Sequence, residues 1–221
     1  MNQINIIKID FNSAEKIYNK YPELISAERR KRIDRIKPEK DRILSFFAEI
    51  EMRKEISDYT DTAYENIKFS YNPHGKPYIE NAGYHFSVSH SGNLIAFVLS
   101  DKTVGIDTEY IKKLRLRVAE RFFTSEEYNY ILKSENPENT FYRIWTAKES
   151  YLKMLGTGLS KPLDSFNVLS PELKNYFFTR QYENYILTVC HENALHTDYK
   201  IDFSDSESLL KSVKEKVSYQ E

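Results

Sequence analysis

Cysteine is nearly absent from this sequence, which has a single one, Cys190, among 221 residues. A lone cysteine cannot form an internal disulfide, so the composition excludes a disulfide-stapled secreted domain and predicts a reducing, cytoplasmic location. Cys190 ends an apolar run that begins at Tyr185, and we interpret it as a buried strand residue rather than a nucleophile.

Long apolar runs are missing as well, and the net charge is close to zero. No stretch approaches the roughly 18 apolar residues that a membrane span requires. The N-terminus lacks the basic and apolar regions of a signal peptide. The net charge of −1 gives no case for binding to nucleic acid or to an anionic membrane. The hydrophobic content of 40% still allows the core of one large domain or two small ones.

Glycine is missing from the first third of the chain, because all six glycines lie between Gly75 and Gly158. Tight turns and close backbone approaches therefore concentrate in the middle, where a site is expected. The middle also carries three consecutive strand patterns, at residues 84–90, 94–99 and 103–109, which predict a meander.

The third of these patterns, Thr103–Glu109, carries two carboxylates on one strand face. Side chains alternate along a strand, so Asp107 and Glu109 point to one side while Val104 and Ile106 point to a core. Two carboxylates about 6–7 Å apart repel each other, and a divalent cation between them would relieve the repulsion. Magnesium suits such a site because it prefers oxygen ligands. Taken alone, the pair is better explained as the solvated face of an edge strand than as a metal site.

A predicted helix over residues 140–155 supplies a third carboxylate. Trp145, Glu149 and Lys153 follow at intervals of four residues and form one stripe along the helix. The plainer alternative is that Glu149 and Lys153 form an ordinary exposed ion pair, worth about 0.3–0.5 kcal/mol.

The segment Ser26–Lys37 is the most basic part of the chain and is predicted as a helix that Ser26 caps and Pro38 ends. It is either a solvated charged helix or a polyanion site that holds a phosphate monoester with guanidinium groups. Arg42 projects from the first turn of the next predicted helix, close in sequence to this segment. The basic residues of the segment are Arg29, Arg30, Lys31, Arg32, Arg35 and Lys37.

Two further cations precede the acidic strand. His90 ends the apolar face of its strand at a Ser-His-Ser-Gly turn, where it is either a core histidine or a ligand of an anion. Lys76 lies in a loop rich in turn residues, 72–77. Together with the carboxylates, these cations predict a site for a substrate with a diphosphate near a metal ion and another phosphate elsewhere.

Helices and strands over the whole chain predict an α+β fold of two halves that meet near residue 100. Thr124 and Glu127 predict a capping box, and Gly156 predicts a helix end. Helices are expected at residues 14–20 (capped by Asn12 and Ser13), 26–37, 39–59, 124–133, 140–155 and 204–217. Further strands are expected at residues 2–11, 67–71, 165–169, 176–182, 185–191 and 199–203.

Three blocks, Phe86–Gly92, Val104–Glu109 and Phe141–Lys153, resemble in order and spacing the signature blocks of the 4′-phosphopantetheinyl transferases. The Gly-x-Gly-Leu-Ser-x-Pro-Leu run at Gly156–Leu163 is also similar. Gly75-Lys76-Pro77 and the segment Phe122–Tyr128 resemble the surfactin-synthetase-activating type of this family. The resemblance covers roughly residues 25 to 190.

The resemblance implies two similar α/β halves related by pseudo-twofold symmetry in a monomer, with coenzyme A and Mg²⁺ in the cleft between them. Residues 1–102 would form the half that binds the adenine and 3′-phosphate, and residues 103–221 the half with the metal site and carrier docking. The reaction would move the 4′-phosphopantetheine arm of coenzyme A onto a serine of an apo acyl or peptidyl carrier protein. Fatty-acid, polyketide and nonribosomal-peptide carriers all fit this expectation.

The resemblance also implies roles for individual residues. Glu149 is in addition our candidate for the base that removes the serine proton, directly or through a water. The matching positions are Asp107, Glu109 and Glu149 for the metal, Lys153 for a coenzyme A phosphate and the leaving group, His90 and Ser89 for phosphate, Lys76 and Pro77 for the adenine side, and Arg29, Arg32 and Arg42 for the 3′-phosphate.

A basic run after the metal strand is the predicted docking surface for an acidic carrier protein. It combines Lys112, Lys113, Arg115 and Arg117 with the apolar residues Ile111, Leu114 and Leu116. Two other function classes remain open. One is a coenzyme A or nucleotide-binding module without turnover. The other is an RNA-binding protein that uses the basic helix, which the near-zero net charge and the lack of a stacking motif disfavour.

Overall fold

A computed structural model of the chain describes residues 3–114, 116–192 and 199–218. Helices are combined with separate β-sheets, which confirms the predicted α+β class. The strands are β1 (Gln3–Lys8), β2 (Ser70–Tyr71), β3 (Pro77–Tyr78), β4 (His85–Ser91), β5 (Leu94–Ser100), β6 (Val104–Tyr110), β7 (Phe177–Tyr182), β8 (Tyr185–His191) and β9 (Lys200–Asp205). The α-helices are α1 (Phe11–Lys20), α2 (Ala27–Ile33), α3 (Glu39–Thr60), α4 (Leu116–Phe122), α5 (Ser125–Leu132), α6 (Pro137–Leu155) and α7 (Ser206–Ser218).

The described residues form two compact units, each built from segments that are not contiguous in sequence. Unit I comprises Phe69–Ser87 and Val98–Tyr199, and unit II comprises Gln3–Lys68, Val88–Phe97 and residues 200–218. The sequence-based division at residues 102 and 103 assigns a different part of the substrate to each half of the chain. That assignment stays a prediction.

Unit II is organised around the long helix α3. Its sheet has the strand order β4-β5-β1-β9, with β1 and β9 parallel. Ile7 near the end of β1 and Ile9 just after it share a buried cluster with three residues of α3, Phe46, Phe47 and Ile50. The burial of these large apolar side chains drives this unit to fold.

Helix α3 also buries charged side chains, and one of them has an unusual proton affinity. Asn5 Nδ2 on β1 donates to Glu51 Oε1 over 2.8 Å, and Glu51 is 2% exposed. Burial, assisted by the charge of Glu55, raises the pKa of Glu51 to about 7.

The Glu51→Gln variant is expected to remove part of the pH dependence of stability. Between the ordinary pKa of 4.5 and about 7, the folded protein keeps the Glu51 proton while the unfolded chain loses it. The free energy of unfolding therefore falls as the pH rises through this window, by about 3 kcal/mol for a shift of this size. Urea unfolding of wild type and Glu51→Gln across the window measures the difference. Equal slopes for the two proteins would contradict the prediction.

Unit I packs helix α6 onto an antiparallel sheet with the order β6-β8-β7. Every residue of β8 is buried, and Cys190 on this strand is 0% exposed, which confirms its assignment as a buried strand residue. Burial raises the pKa of the Cys190 thiol, so the thiolate needed for nucleophilic chemistry is disfavoured.

The capping box at the start of α5 is confirmed and extends into the core of unit I. Thr124 Oγ1 accepts from Glu127 N, and Glu127 Oε2 accepts from Thr124 N. The same Glu127 carboxylate lies 2.7 Å from Lys148 Nζ on α6, and both side chains are 0% exposed. Lys148 Nζ also donates to the carbonyls of Leu163 and Phe166. These bonds satisfy the buried charges and tie α5 and the segment after α6 to α6.

Several predicted helix boundaries are wrong. Helix α1 starts at Phe11 because Asp10 accepts from Asn12 N, so Phe11 does not extend the first strand. Helix α2 ends at Ile33 rather than Lys37, after which Ile36 N donates to Ile33 O and the chain tightens. Helix α6 starts at Pro137 rather than Thr140, since Asn136 caps it and a proline suits the first helical position.

The strand predictions also need two corrections. The predicted meander is wrong, because β6 pairs with β8 in another sheet instead of following β5. Neighbouring strands in sequence usually pair, but here a more distant apolar strand provides the partner. Residues 165–169 are not a strand: Ser165 N donates to Pro162 O and Ser170 N to Asn167 O, which are turn bonds. The predicted strand over residues 67–71 is reduced to β2.

Within the described ranges, no helix is both long enough and apolar enough to span a bilayer.

Candidate active site

The acidic strand β6 and the helix α6 face each other in unit I. Asp107 is 5% exposed and Glu109 is half-buried, so a fully solvated strand face does not explain Asp107. Lys153 Nζ lies 2.8 Å from Asp107 Oδ1. The stripe predicted on α6 therefore reaches across to β6, and Lys153 binds a carboxylate of another element rather than forming only a local helix pair.

The charges of both strand carboxylates act on Glu149. Burial raises the pKa of Glu149, the charges of Asp107 and Glu109 raise it further, and Lys153 opposes them. The three predicted carboxylates are thus electrostatically coupled, as expected for groups whose repulsion a cation would relieve. The Lys153–Asp107 ion pair shows that the helix carrying Glu149 lies against the acidic strand.

Two glycines allow this arrangement. A Cβ at Gly105 would lie 2.0 Å from Ser150 O and 2.4 Å from Met154 N, so only glycine lets the backbone of α6 approach β6 this closely. Gly156 ends α6 with φ +69°, which confirms the predicted left-handed C-terminal glycine.

The three carboxylates are chemically suited to bind a divalent cation, but they are not arranged as a preformed metal cage. Asp107, Glu109 and Glu149 offer the hard oxygen donors that Mg²⁺ prefers, and their mutual repulsion favours a bound cation. No group of three or more His, Cys, Asp or Glu side chains within residues 3–114, 116–192 and 199–218 converges as a metal cage. In this structure the ammonium of Lys153 neutralises Asp107.

Lys76 lies beside the same two elements. Its Nζ donates to Val104 O at the start of β6 over 3.2 Å and to Met154 O at the end of α6 over 3.4 Å. Burial lowers the pKa of Lys76 to about 8. Pro77 follows directly and begins β3.

Asn72 fixes the loop that carries Lys76, and sequence reasoning missed it. Its Oδ1 accepts from the backbone N–H groups of His74 and Lys76, both over 2.9 Å. Its Nδ2 donates to Gly156 O over 2.7 Å and so satisfies a carbonyl at the end of α6. An asparagine that opens a turn-rich loop was the only local signal of this role.

The predicted phosphate arginines lie in unit II. Arg29 Nε is 3.3 Å from Glu49 Oε2, and Glu49 is 1% exposed. Arg32 pairs with Glu28 on the same helix over 2.6 Å. Arg42 Nη1 donates to the carbonyls of Ile36 and Lys37, so its guanidinium lies at the end of the basic segment. The predicted anion ligands Ser89, which is buried, and His90, which is half-buried, also belong to unit II, on β4.

Comparison with known proteins shows to which family this chain belongs. A model described as 4′-phosphopantetheinyl transferase, N-terminal, matches residues 10–102, and a 4′-phosphopantetheinyl transferase superfamily model matches residues 103–204. The 4′-phosphopantetheinyl transferase Sfp of Bacillus subtilis (strain 168) is 31% identical over 214 residues, which cover 90% of this chain and 94% of the relative. This chain belongs to the 4′-phosphopantetheinyl transferase superfamily. The resemblance of its signature blocks to that family is therefore confirmed.

Two further relatives of this transferase support the surfactin-synthetase-activating type. The 4′-phosphopantetheinyl transferase ffp of Bacillus subtilis is 33% identical over 81% of this chain and 86% of the relative. The 4′-phosphopantetheinyl transferase gsp of Aneurinibacillus migulanus is 32% identical over 75% of this chain and 70% of the relative. A solved holo-[acyl-carrier-protein] synthase of Thermotoga maritima shares 19% identity, covers 39% of this chain and 60% of its own, and gives a TM-score of 0.32.

The buried Lys148–Glu127 pair helps to orient helix α6 of this transferase. Lys148 directly precedes Glu149, so the bonds that fix Lys148 also fix the rotation of α6 about its axis. The neighbouring Trp145 packs against Phe141, with ring centroids 5.9 Å apart. These contacts hold the face of α6 that presents Glu149 and Lys153 toward β6.

Proposed function

We propose that this chain transfers the 4′-phosphopantetheine arm of coenzyme A to a serine of an apo acyl or peptidyl carrier protein. In the reaction the serine oxygen bonds to the β-phosphorus, the bond to the diphosphate bridging oxygen breaks, and adenosine 3′,5′-bisphosphate leaves. The observation that carries the proposal is the pairing of Lys153 and Asp107 beside Glu149, on two elements held together by Gly105. Family membership supports the reaction class.

Asp107, Glu109 and Glu149 are the residues that would hold Mg²⁺, which when bound neutralises charge on the diphosphate oxygens. Phosphoryl-type transfer depends mainly on positioning and charge neutralisation, so a second cation at the reacting phosphate is useful. Lys153 supplies it, because its ammonium is already held beside Asp107. The carrier serine loses a proton as it attacks, and Glu149 is the proposed acceptor.

The remaining predicted residues bind the rest of coenzyme A in this proposal. Lys76 and Pro77 contact the adenine side, and Ser89 and His90 contact a phosphate. Arg29, Arg32 and Arg42 contact the 3′-phosphate, where guanidinium groups are well suited to a phosphate monoester. In the same proposal residues 1–102 supply the adenine and 3′-phosphate contacts, and residues 103–221 supply the metal ligands and the docking surface.

Mass spectrometry of a carrier protein tests the proposal. Incubation with coenzyme A, Mg²⁺ and an apo carrier protein is expected to add the mass of one phosphopantetheine arm to the carrier. The matched control is a carrier whose modified serine is alanine, which should keep its mass. Coenzyme A binding without any mass gain across acyl and peptidyl carriers would instead support the alternative, a binding module without turnover. The intact carboxylates and Lys153 disfavour that alternative.

The docking surface for the carrier protein is proposed on the basic run after β6. Lys112, Lys113 and Arg117 are exposed, while Ile111 and Leu114 pack against the core cluster of unit I. Leu116 is 39% exposed, so it is the apolar residue of the run that is most open to a partner. The predicted Arg115 lies outside the described residues. Carrier proteins are commonly acidic around the modified serine, which suits these charges.

Reversing the charges at Lys112 and Lys113 to glutamate is expected to raise KM for the carrier protein on the order of tenfold, with kcat little changed. The salt dependence of KM should weaken, because long-range attraction is lost. Steady-state kinetics at two ionic strengths measures both effects. Glutamates at Lys133 and Lys174, which are exposed in unit I outside the run, are the matched control. An equal response of the two double variants would contradict this docking surface.

A further inference from the structure

A buried carboxylate on α3 holds two arginines in unit II, and nothing in the reaction requires it directly. Glu49 is 1% exposed. Its Oε1 lies 3.0 Å from Arg53 Nε, and its Oε2 lies 3.3 Å from Arg29 Nε. Arg53 is itself fixed, because its Nη1 donates to Ile67 O over 2.7 Å.

The two arginines differ in their surroundings. The Arg53 side chain is 7% exposed and belongs to the core of unit II, whereas the Arg29 side chain is 25% exposed. Glu49 therefore joins a buried guanidinium to one that solvent can reach. Glu49 and Arg53 already balance each other's charge, so this buried pair does not need Arg29. The effect of the additional contact is to restrict the guanidinium of Arg29.

Such restriction matters for a group that binds a phosphate. A long arginine side chain loses rotamer entropy when it is ordered by a ligand, and a group ordered in advance binds more tightly. The contact is made through Nε, the nitrogen nearest the aliphatic part of the side chain. It is an ion pair over 3.3 Å that lacks hydrogen-bond geometry, so it holds the guanidinium beside Glu49 by charge. The ion pair of Arg32 with Glu28 is more exposed, because the Glu28 side chain is 77% exposed, so that pair orders its arginine less.

We propose that Glu49 is a positioning residue that fixes the guanidinium of Arg29 for a phosphate monoester, the 3′-phosphate of coenzyme A. Through Arg29 it contributes to the preference of the enzyme for coenzyme A over 3′-dephospho-coenzyme A. The inference rests on the proposed function, which assigns Arg29 to that phosphate. It adds a residue, Glu49, whose own side chain is too buried to touch the substrate.

Chain geometry offers a matched control two residues away. Glu51 lies on the same helix, is 2% exposed and accepts from Asn5 rather than from an arginine. Glu49→Gln and Glu51→Gln are therefore the same substitution in equally buried sites of one helix. A change shared by both variants reports altered packing of α3, and a change confined to Glu49→Gln reports the loss of the Glu49 carboxylate from Arg29 and Arg53.

The experiment measures kcat and KM of each variant with coenzyme A and with 3′-dephospho-coenzyme A, at a fixed concentration of one carrier protein. Glu49→Gln is expected to raise KM for coenzyme A about tenfold while kcat and KM for 3′-dephospho-coenzyme A stay near wild type. Glu51→Gln should keep the wild-type preference. Arg29→Gln should lose the preference at least as fully, and the double variant with Glu49→Gln should lose no more than Arg29→Gln alone.

Glu49→Asp keeps the charge and is expected to restore part of the preference, and it serves as the readout if Glu49→Gln does not fold. Equal losses with both coenzymes in Glu49→Gln, or in Glu49→Asp when that variant is the readout, would show a merely structural role and overturn the inference. A wild type that modifies carriers without any preference between the coenzymes would also overturn it, while leaving the transfer reaction intact. A wild type that modifies no carrier would instead overturn the proposed function.

Discussion

Replacing Glu149 with glutamine is expected to lower kcat for carrier modification by about 10²–10⁴-fold. The substitution keeps the size of the side chain but removes its ability to take the serine proton. Burial and the charges of Asp107 and Glu109 already raise the pKa of Glu149, which favours uptake of a proton by this carboxylate in the free protein. Steady-state turnover with coenzyme A and a carrier protein measures the loss.

The affinity for Mg²⁺, measured by calorimetry on the same variant, separates two ways in which turnover can fall. Nearly normal affinity with lost turnover supports a base, whereas weakened affinity in proportion to the lost rate supports a ligand only. Glu138→Gln, an exposed substitution in the first turn of the same helix, is the control. Turnover of Glu149→Gln near that of wild type would contradict both roles.

Replacing Gly105 with alanine adds a single methyl group and is expected to cause a large loss in the free energy of unfolding. The added Cβ would lie 2.0 Å from Ser150 O and 2.4 Å from Met154 N, both backbone atoms of α6. Backbone atoms cannot rotate away, so α6 must shift from β6, at a cost of about 3 kcal/mol in the free energy of unfolding. Because Glu149 and Lys153 move with α6, turnover should fall as well.

Urea unfolding and turnover measured on the same preparation test this prediction. Gly83→Ala is the matched control, since a Cβ at Gly83 meets no atom within 4 Å and the residue has no positive φ. A Gly105→Ala protein as stable and as active as Gly83→Ala would show that the close approach of helix and strand is not needed.

Local patterns predicted the parts of the site that depend on periodicity. The two-residue alternation placed Asp107 and Glu109 on one strand, and the four-residue spacing placed Glu149 and Lys153 on one helix face. The caps at Ser26, Thr124 and Gly156 are equally local, because each depends on residues within four positions.

Partners distant in sequence could not be predicted in this way. Lys153 binds Asp107 across 46 residues, and Asn72 binds Gly156 across 84. No periodic pattern in the sequence indicates either contact. The pairing of β6 with β8 likewise depends on which apolar strand the fold brings beside β6. The roles of the arginines in substrate binding came from family resemblance, and the ion pair of Arg29 with Glu49 came from the fold alone.

The loop of residues 72–76 looks like a natural place to cut or lengthen the chain, since residues 73–75 are exposed and rich in turn formers. The side chains at its two ends argue against this choice. Asn72 holds Gly156 O and Lys76 holds Met154 O, so the loop serves as the external cap of α6. New chain termini or an inserted tag at this loop would fray the last turn of α6, where Lys153 lies. Circular permutants and fusion proteins of this enzyme should therefore keep residues 72–76 intact.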